Sequence, residues 1–486
     1  MLRKRQQGHG RPIITITHNG FRFVAVGQRM TYSRDWRFFP DFLIFNMKDV
    51  MGRDWGRDAS SLMPDHPVIR WLRKVSEARA AAGGANSIPP TGFISALTRF
   101  AYALYLIEHN DSPPKSLLKR LRHPNSFDPA SYETIVASAF ALAGAQIDGA
   151  EDIKGNQPKP EFIATFRGGQ RYSVEAKRKR SWKSSFDLDS DAFAGELRSW
   201  LRGRVHEASK KQLANPVYWF ELGIGEKLSE EDAKRLQSLV GSALEDAETI
   251  TVKGSPAQPA YIVVTNNPDF ANDEVTAITQ FALLQGFRME DFRGGLLDLE
   301  TAMERHDKHR PIRSVLECLI EVQQVPMSFD GVPDELLDES GAPLAVVKIG
   351  DRIAYPRGDG TEGTGRIEEM TALGDEAYVI VADHQDANRV IVKMPLTDAE
   401  AKAAKKLGNA IFGKPEGPRE NITDILRFYD RMLDTYSDYP RESLLRQIKG
   451  HSQAEQFERL SREELVVRIA REVTKSVHYQ SSKQEG

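Results

Sequence analysis

Apolar and polar residues alternate with a period of two in Ile14-Thr15-Ile16-Thr17 and in Phe21-Arg22-Phe23-Val24-Ala25-Val26, on either side of Asn19-Gly20. This predicts a β-hairpin over about Pro12 to Ser33, because Asn-Gly supplies the left-handed backbone that a type I′ turn requires. The period then lengthens to that of a helix. Helices are predicted near Pro40–Met51 and Pro67–Ala82 and, beyond the Pro89-Pro90 break, from about Gly92 to Glu108. Trp36, Phe38, Phe39, Phe42, Phe45, Trp55 and Trp71 crowd this region. Core packing is the favoured reading, because aromatics supply much of a core's buried area. Stacking on bases beside Arg34, Arg37, Arg53, Arg57 and Arg70 is the alternative.

Lys115 to His123 reads as a short basic helix, and Asp128-Pro129 as the N-cap and first position of the next. Tyr132, Ile135, Val136, Ala139 and Phe140 follow at helical spacing, and Gly144 offers a stop. Phe162–Phe166 and Tyr172–Lys177 flank Gly168-Gly169 as a second hairpin. A periodic segment from Asp191 to Ala214 comes next. Buried strands at Val217–Phe220 and Tyr261–Thr265 then alternate with helices at Ser229–Ala247, Asn272–Leu284 and Pro311–Val322. Such alternation argues for an α/β sheet. Phe329–Pro343 reads as a linker. From Val346 to Leu396 the strands shorten: Asp351–Pro356, Gly365–Ile367, Ala377–Val381 and Arg389–Val392 suggest a small SH3-like β-barrel. The remainder is helical, at Ala399–Leu407, Asn421–Tyr436 and a last helix opened by the capping box Ser461-x-x-Glu464. The expected fold class is a multidomain α/β protein. Its parts are an N-terminal α+β domain (1–111), a mixed sheet flanked by helices (112–335), a barrel (345–397) and a helical C-terminal region (398–486).

The candidate chemistry sits in the second hairpin. Side chains alternate along a strand, so Glu175 and Lys177 emerge on one face, and Glu161 lies near them across the hairpin. Two carboxylates and an ammonium then converge. Hard divalent cations take oxygen ligands of this kind, and a neighbouring lysine can stabilise attacking water or developing negative charge. Pro160-Glu161, thirteen intervening residues, then Glu175-Ala176-Lys177, behind a helix carrying Glu133, resembles the PD-(D/E)xK nuclease superfamily. Position 161 carries Glu where that family usually has Asp, so the carboxylate stands on a longer arm.

The resemblance implies a restriction-endonuclease-like core and Mg²⁺- or Mn²⁺-dependent hydrolysis of phosphodiester bonds in DNA, with RNA left open. It makes Glu161 and Glu175 the metal ligands, Lys177 the charge stabiliser and Glu133 the helical acid. Glu133 also has a plainer reading, as an acid favoured near a helix start. Gln212 resembles the glutamine of the RecB-type subgroup, although Pro216 stands where that pattern continues to tyrosine. The run Arg178-Lys179-Arg180-Ser181-Trp182-Lys183 is either solvated surface or a phosphate grip formed by Arg178, Lys179, Arg180 and Lys183. Gly350–Pro356, Gly363–Ile367 and Met394-Pro395-Leu396 resemble CarD-type RNA-polymerase-interacting modules. That makes the barrel a binding module for a protein partner or nucleic acid. Bacterial restriction or anti-phage defence suits this architecture. A catalytically degenerate nuclease-fold scaffold is the other reading.

Composition changes the picture only at the margins. The 486 residues carry 66 Lys+Arg against 69 Asp+Glu, a net charge of −3, so any nucleic-acid surface must be local. The single cysteine, Cys318, excludes an intramolecular disulfide and a cysteine-based zinc site. His306 and His309, within a charged run, read as a solvated helix face or turn and not as a metal site. No apolar run reaches bilayer length and the basic N-terminus lacks a signal-peptide core, so no membrane and a cytoplasmic location are expected. No Walker-type loop implies ATP.

Overall fold

A computed structural model describes residues 13–81, 91–110, 114–149, 158–166, 168–268, 281–292, 298–321, 325–326, 328–329, 345, 347–357, 360–383, 389–412, 424–437, 439–448 and 454–484. They form a mixed α/β protein of two compact units. One runs to residue 292 and resumes over 310–329, and the other takes 298–309 and the residues from 345 onward. Among the described residues no helix is long and apolar enough to cross a membrane.

The first unit opens with an antiparallel sheet of β1 (Ile14–His18), β2 (Phe21–Val26) and β3 (Arg29–Ser33). Asn19 and Gly20 both have positive φ, at 50° and 73°, as the Asn-Gly turn demands. A third strand continues the expected hairpin through Gly27. Its φ is +56° and an added Cβ would lie 2.8 Å from the Glu108 carbonyl oxygen, so only glycine fits. Helices α1 (Phe39–Met51), α2 (Arg53–Leu62), α3 (Pro67–Ala81), α4 (Gly92–Asn110), α5 (Lys115–Leu121) and α6 (Pro124–Leu142) follow. Trp36, Phe39, Phe42 and Trp71 are buried in their core, as the packing reading requires.

Helix α6 begins four residues before the expected N-cap, and Pro129 lies inside it. Proline has no N–H to offer the Asn125 carbonyl four residues back. Arg180 donates to that carbonyl at 3.4 Å instead. Glu133 consequently sits mid-helix, not in a first turn.

The central sheet has six strands in the order β11-β10-β7-β6-β5-β4. These are β4 (Gln146–Gly149), β5 (Phe162–Thr165), β6 (Arg171–Arg178), β7 (Pro216–Glu221), β10 (Ala260–Asn266) and β11 (Phe281–Phe287). Strands β6, β7 and β10 are parallel neighbours and the other pairs are antiparallel. A two-strand ribbon of β8 (Thr251–Val252) and β9 (Ser255–Pro256) lies outside the sheet. Val174, Trp219 and Val263 pack on one face in a core shared with Phe140 of α6 and Leu104 of α4. On the other face Tyr218, Phe220, Ile262 and Val264 pack against Leu197, Leu201 and Val205 of α7 (Asp191–Ser209) and Leu236, Val240 and Leu244 of α8 (Glu230–Ala247). The last four residues of the helix expected at Asn272–Leu284 are strand instead: they open Phe281–Phe287, because full pairing with β10 overrides the apolar run's helical pattern. Residues 272–280 lie outside the described residues. Phe329 is core, not linker: it is buried with its ring 5.4 Å from that of Phe39. Residues 330–343 are outside the described residues.

Helix α9 (Leu299–Glu321) starts twelve residues before the expected Pro311 and carries that proline internally. Its first residues belong to the second unit. There β12 (Arg352–Pro356), β13 (Glu362–Leu373), β14 (Glu376–Asp383) and β15 (Arg389–Pro395) form a curled antiparallel meander, a half-barrel with a bulge between Ile367 and Glu369. An added Cβ at Gly365 would come within 2.5 Å of the Ala382 carbonyl oxygen, so glycine allows the strands to close up. Tyr355, Ile367, Val379 and Val381 pack with Ala403 of α10 (Asp398–Leu407). Helices α11 (Ile425–Ser437), α12 (Arg441–Gln447), α13 (Ala454–Phe457) and α14 (Arg462–Gln484) gather around Tyr429, Leu433, Leu465 and Met303. Ser461 and Glu464 make the expected capping box, with Ser461 N–H donating at 2.8 Å and Glu464 N–H at 3.2 Å. His306 and His309 are buried, contrary to the solvated face expected. His306 Nε2 lies 2.8 Å from Asp430, because α11 packs on the charged side of α9.

Candidate active site

Glu161, Glu175 and Lys177 meet because of the β5–β6 register. Phe162 pairs with Val174, and one step outward the Glu161 N–H donates to the Val174 carbonyl at 3.0 Å. That sets Glu161 beside the end of β6 from which Glu175 and Lys177 project on the α7 face. Lys177 Nζ lies 2.7 Å from Glu161 Oε1 and 3.3 Å from Glu175 Oε2. One ammonium thus bridges two carboxylates. Burial disfavours its charge, but Glu161 and then Glu175 outweigh that and hold Lys177 protonated above the ordinary lysine range.

Glu175 has no exposed side-chain surface. Burial pushes its carboxyl upward against the opposing pull of Lys211 and Lys177. Lys211, just beyond α7, ion-pairs with Glu175 Oε1 and donates to the Lys159 carbonyl at 2.9 Å. No local motif marks Lys211 as a partner of Glu175. The neighbouring Gln212 points elsewhere: its φ is +52° and its amide donates back to the Ser209 carbonyl at 2.8 Å. The left-handed turn at Gln212 ends the helix and leaves Lys211 as the side chain that reaches the carboxylates.

Glu133 approaches from α6, paired with Arg120 of the basic helix α5 at 2.7 Å. Burial, then the charge of Glu161, lifts its carboxyl to about 7, against the pull of Arg120 and Lys177. A carboxyl raised from 4.5 to about 7 on folding holds more protons than in the unfolded chain between those values, so it weakens the fold as pH rises through them. Glu133→Gln is expected to match wild-type stability near pH 5 and to exceed it near pH 8 by on the order of 1–3 kcal/mol. Urea unfolding at both pH values measures this, and parallel pH profiles for the two proteins would refute it.

The basic run is partly structural. Lys179 is paired with Glu196 at 2.8 Å, and its ammonium lies 4.4 Å from the Trp182 ring centre. Burial raises the Glu196 carboxyl, yet the hydrogen bond from Lys179 and those from the Ser184 and Lys183 amides outweigh it and draw it down to about 2. Arg178 is half-buried at the end of β6, on the Tyr132 side of the sheet, while Arg180 and Lys183 are exposed.

The donors fit a divalent cation. Glu175 Oε2 is buried with the Lys177 ammonium 3.3 Å away, and two carboxylates reach toward one point at Lys177 Nζ. Among the described residues no group of three or more His, Cys, Asp or Glu side chains is gathered for a metal. A cation here would therefore take its remaining oxygens from water or substrate, as Mg²⁺ commonly does. No protein-family model matches the chain, and no curated protein or solved structure matches it.

Proposed function

We propose that this chain is a divalent-metal-dependent nuclease that hydrolyses phosphodiester bonds in DNA, with a restriction-endonuclease-like core. The carrying observation is the convergence of Glu161, Glu175 and Lys177 across one hairpin edge. Glu161 and Glu175 would hold Mg²⁺ or Mn²⁺, which when bound lowers the pKa of water and neutralises charge on the phosphoryl group. Lys177 places an ammonium beside the reacting phosphate and stabilises negative charge as it develops. Lys211 fixes the Glu175 carboxylate from below. Glu133, lifted to about 7, can accept or return a proton near neutral pH. Arg180 and Lys183 offer exposed charge to the phosphate backbone. Restriction or anti-phage defence is the role we propose with this activity, and the half-barrel is proposed to engage a protein or nucleic-acid partner.

One observation favours a second reading. Lys177 and Lys211 already neutralise Glu161 and Glu175, which suits a degenerate scaffold that binds nucleic acid without cutting it. Incubating the protein with plasmid, linear DNA and RNA, with Mg²⁺ or with EDTA, separates the two. Cleavage of DNA with Mg²⁺ and none with EDTA is expected. No cleavage with Mg²⁺ or Mn²⁺ would leave the scaffold.

A further inference from the structure

The sheet β1–β3 turns Val24 and Val26 into the core and leaves its other face in solvent. Its register aligns Ile14, Ala25 and Met30 across the three strands, and Ile16, Phe23 and Tyr32 beside them. Phe21 shares this face by alternation. Ile14, Ile16, Met30 and Tyr32 are 56%, 66%, 70% and 62% exposed. The wet face of an antiparallel sheet is ordinarily polar, so an apolar one calls for an occupant. Phe21, Phe23 and Tyr32 form one ring cluster, with Tyr32 5.3 Å from Phe23 and 5.7 Å from Phe21. The Arg34 guanidinium lies 4.1 Å from the Phe21 ring centre.

Charge selects the occupant. The described residues 13–34 contain Arg22, Arg29 and Arg34 and no Asp or Glu, with Asp35 next in sequence, in a protein whose net charge is −3. Arg29 is paired with Asp49 and Glu108, and Arg22 stacks on Phe329, whereas Arg34 is exposed at the aromatic face. Flat aromatic rings beside the Arg34 guanidinium match unpaired bases on a phosphate backbone. We propose that this face is a stacking platform for single-stranded nucleic acid, with Tyr32, Phe23 and Phe21 contacting bases and Arg34 the adjoining phosphate. Duplex DNA hides its base faces inside the helix and cannot use the platform. The inference stands whether or not the carboxylate site cleaves anything.

The test is fluorescence anisotropy with labelled oligo(dT) and oligo(U), in EDTA so that no metal-dependent cleavage intervenes, with a duplex of equal length as competitor. Tyr32→Leu keeps an apolar side chain but removes the ring, and is expected to weaken binding on the order of tenfold. Tyr32→Phe keeps the ring and should bind like wild type. The slope of affinity against salt should be the same in all three proteins, because no charge is lost. The proposal is overturned if wild type binds neither oligonucleotide, if Tyr32→Leu binds unchanged, or if duplex competes equally well. It is also overturned if sedimentation shows a wild-type dimer that Tyr32→Leu disrupts with single-strand affinity unaltered, since the face would then join two copies.

Discussion

Lys177→Ala is expected to lower the rate of metal-dependent DNA cleavage by about 10²–10³-fold, the usual cost of losing one placed charge stabiliser. The Nζ sits 2.7 Å from Glu161 and 3.3 Å from Glu175, so it occupies the point on which both carboxylates converge. Alanine removes that charge without removing a ligand oxygen. Lys211 still pairs with Glu175, and the lysine side chain is 27% exposed, so the fold should survive. Metal affinity should hold or rise, because a cation competing for the same carboxylates has gone. Cleavage assays and calorimetric Mn²⁺ titration on the same preparations check both halves. Full activity in the variant, with wild type active, would remove this site as the catalytic one. A large loss of metal affinity would make Lys177 a structural strut and not a charge stabiliser.

The parts of this arrangement that the sequence disclosed are those governed by local rules. Asn19-Gly20 and Gly168-Gly169 mark tight turns, and the period of two puts Glu175 and Lys177 on one face whatever surrounds them. Glu161 follows from the hairpin register. Lys211 and Arg120 were not legible as partners, since each reaches its carboxylate from another element and no spacing encodes a tertiary meeting. Gln212 drew attention by motif, but the left-handed turn that aims it away is decided by how α7 ends on the sheet. Prolines misled twice. Pro129 and Pro311 look like helix starts, yet each lies inside a longer helix, and at Pro129 the unpaired carbonyl finds Arg180. The run Phe281-Ala282-Leu283-Leu284 is too short for periodicity to separate strand from helix, and pairing with β10 decides. Burial of His306 likewise depends on a helix more than a hundred residues away in sequence.

Glu175 is the residue whose loss should be felt in stability and chemistry together. Its carboxylate is fully buried and holds Lys211 on one oxygen and Lys177 near the other. Removing one partner of a buried ion pair costs about 3–5 kcal/mol, because the remaining charge stays desolvated. Here Lys177 and Lys211 keep 27% and 31% exposure and can turn toward water, so Glu175→Ala is expected to lose a smaller amount, about 2–3 kcal/mol. It should also lose the divalent cation and cleavage together, since a ligand oxygen has gone. Glu175→Gln separates the two effects. The amide retains the shape and an oxygen that can accept from Lys211, so more of the stability should return, while a neutral oxygen makes a poor ligand for a hard cation. Denaturant unfolding and Mn²⁺ titration of both variants read these effects independently. If Glu175→Gln binds Mn²⁺ as tightly as wild type, the carboxylate is not a metal ligand, and the charges at 161, 175, 177 and 211 form a structural ion-pair cluster.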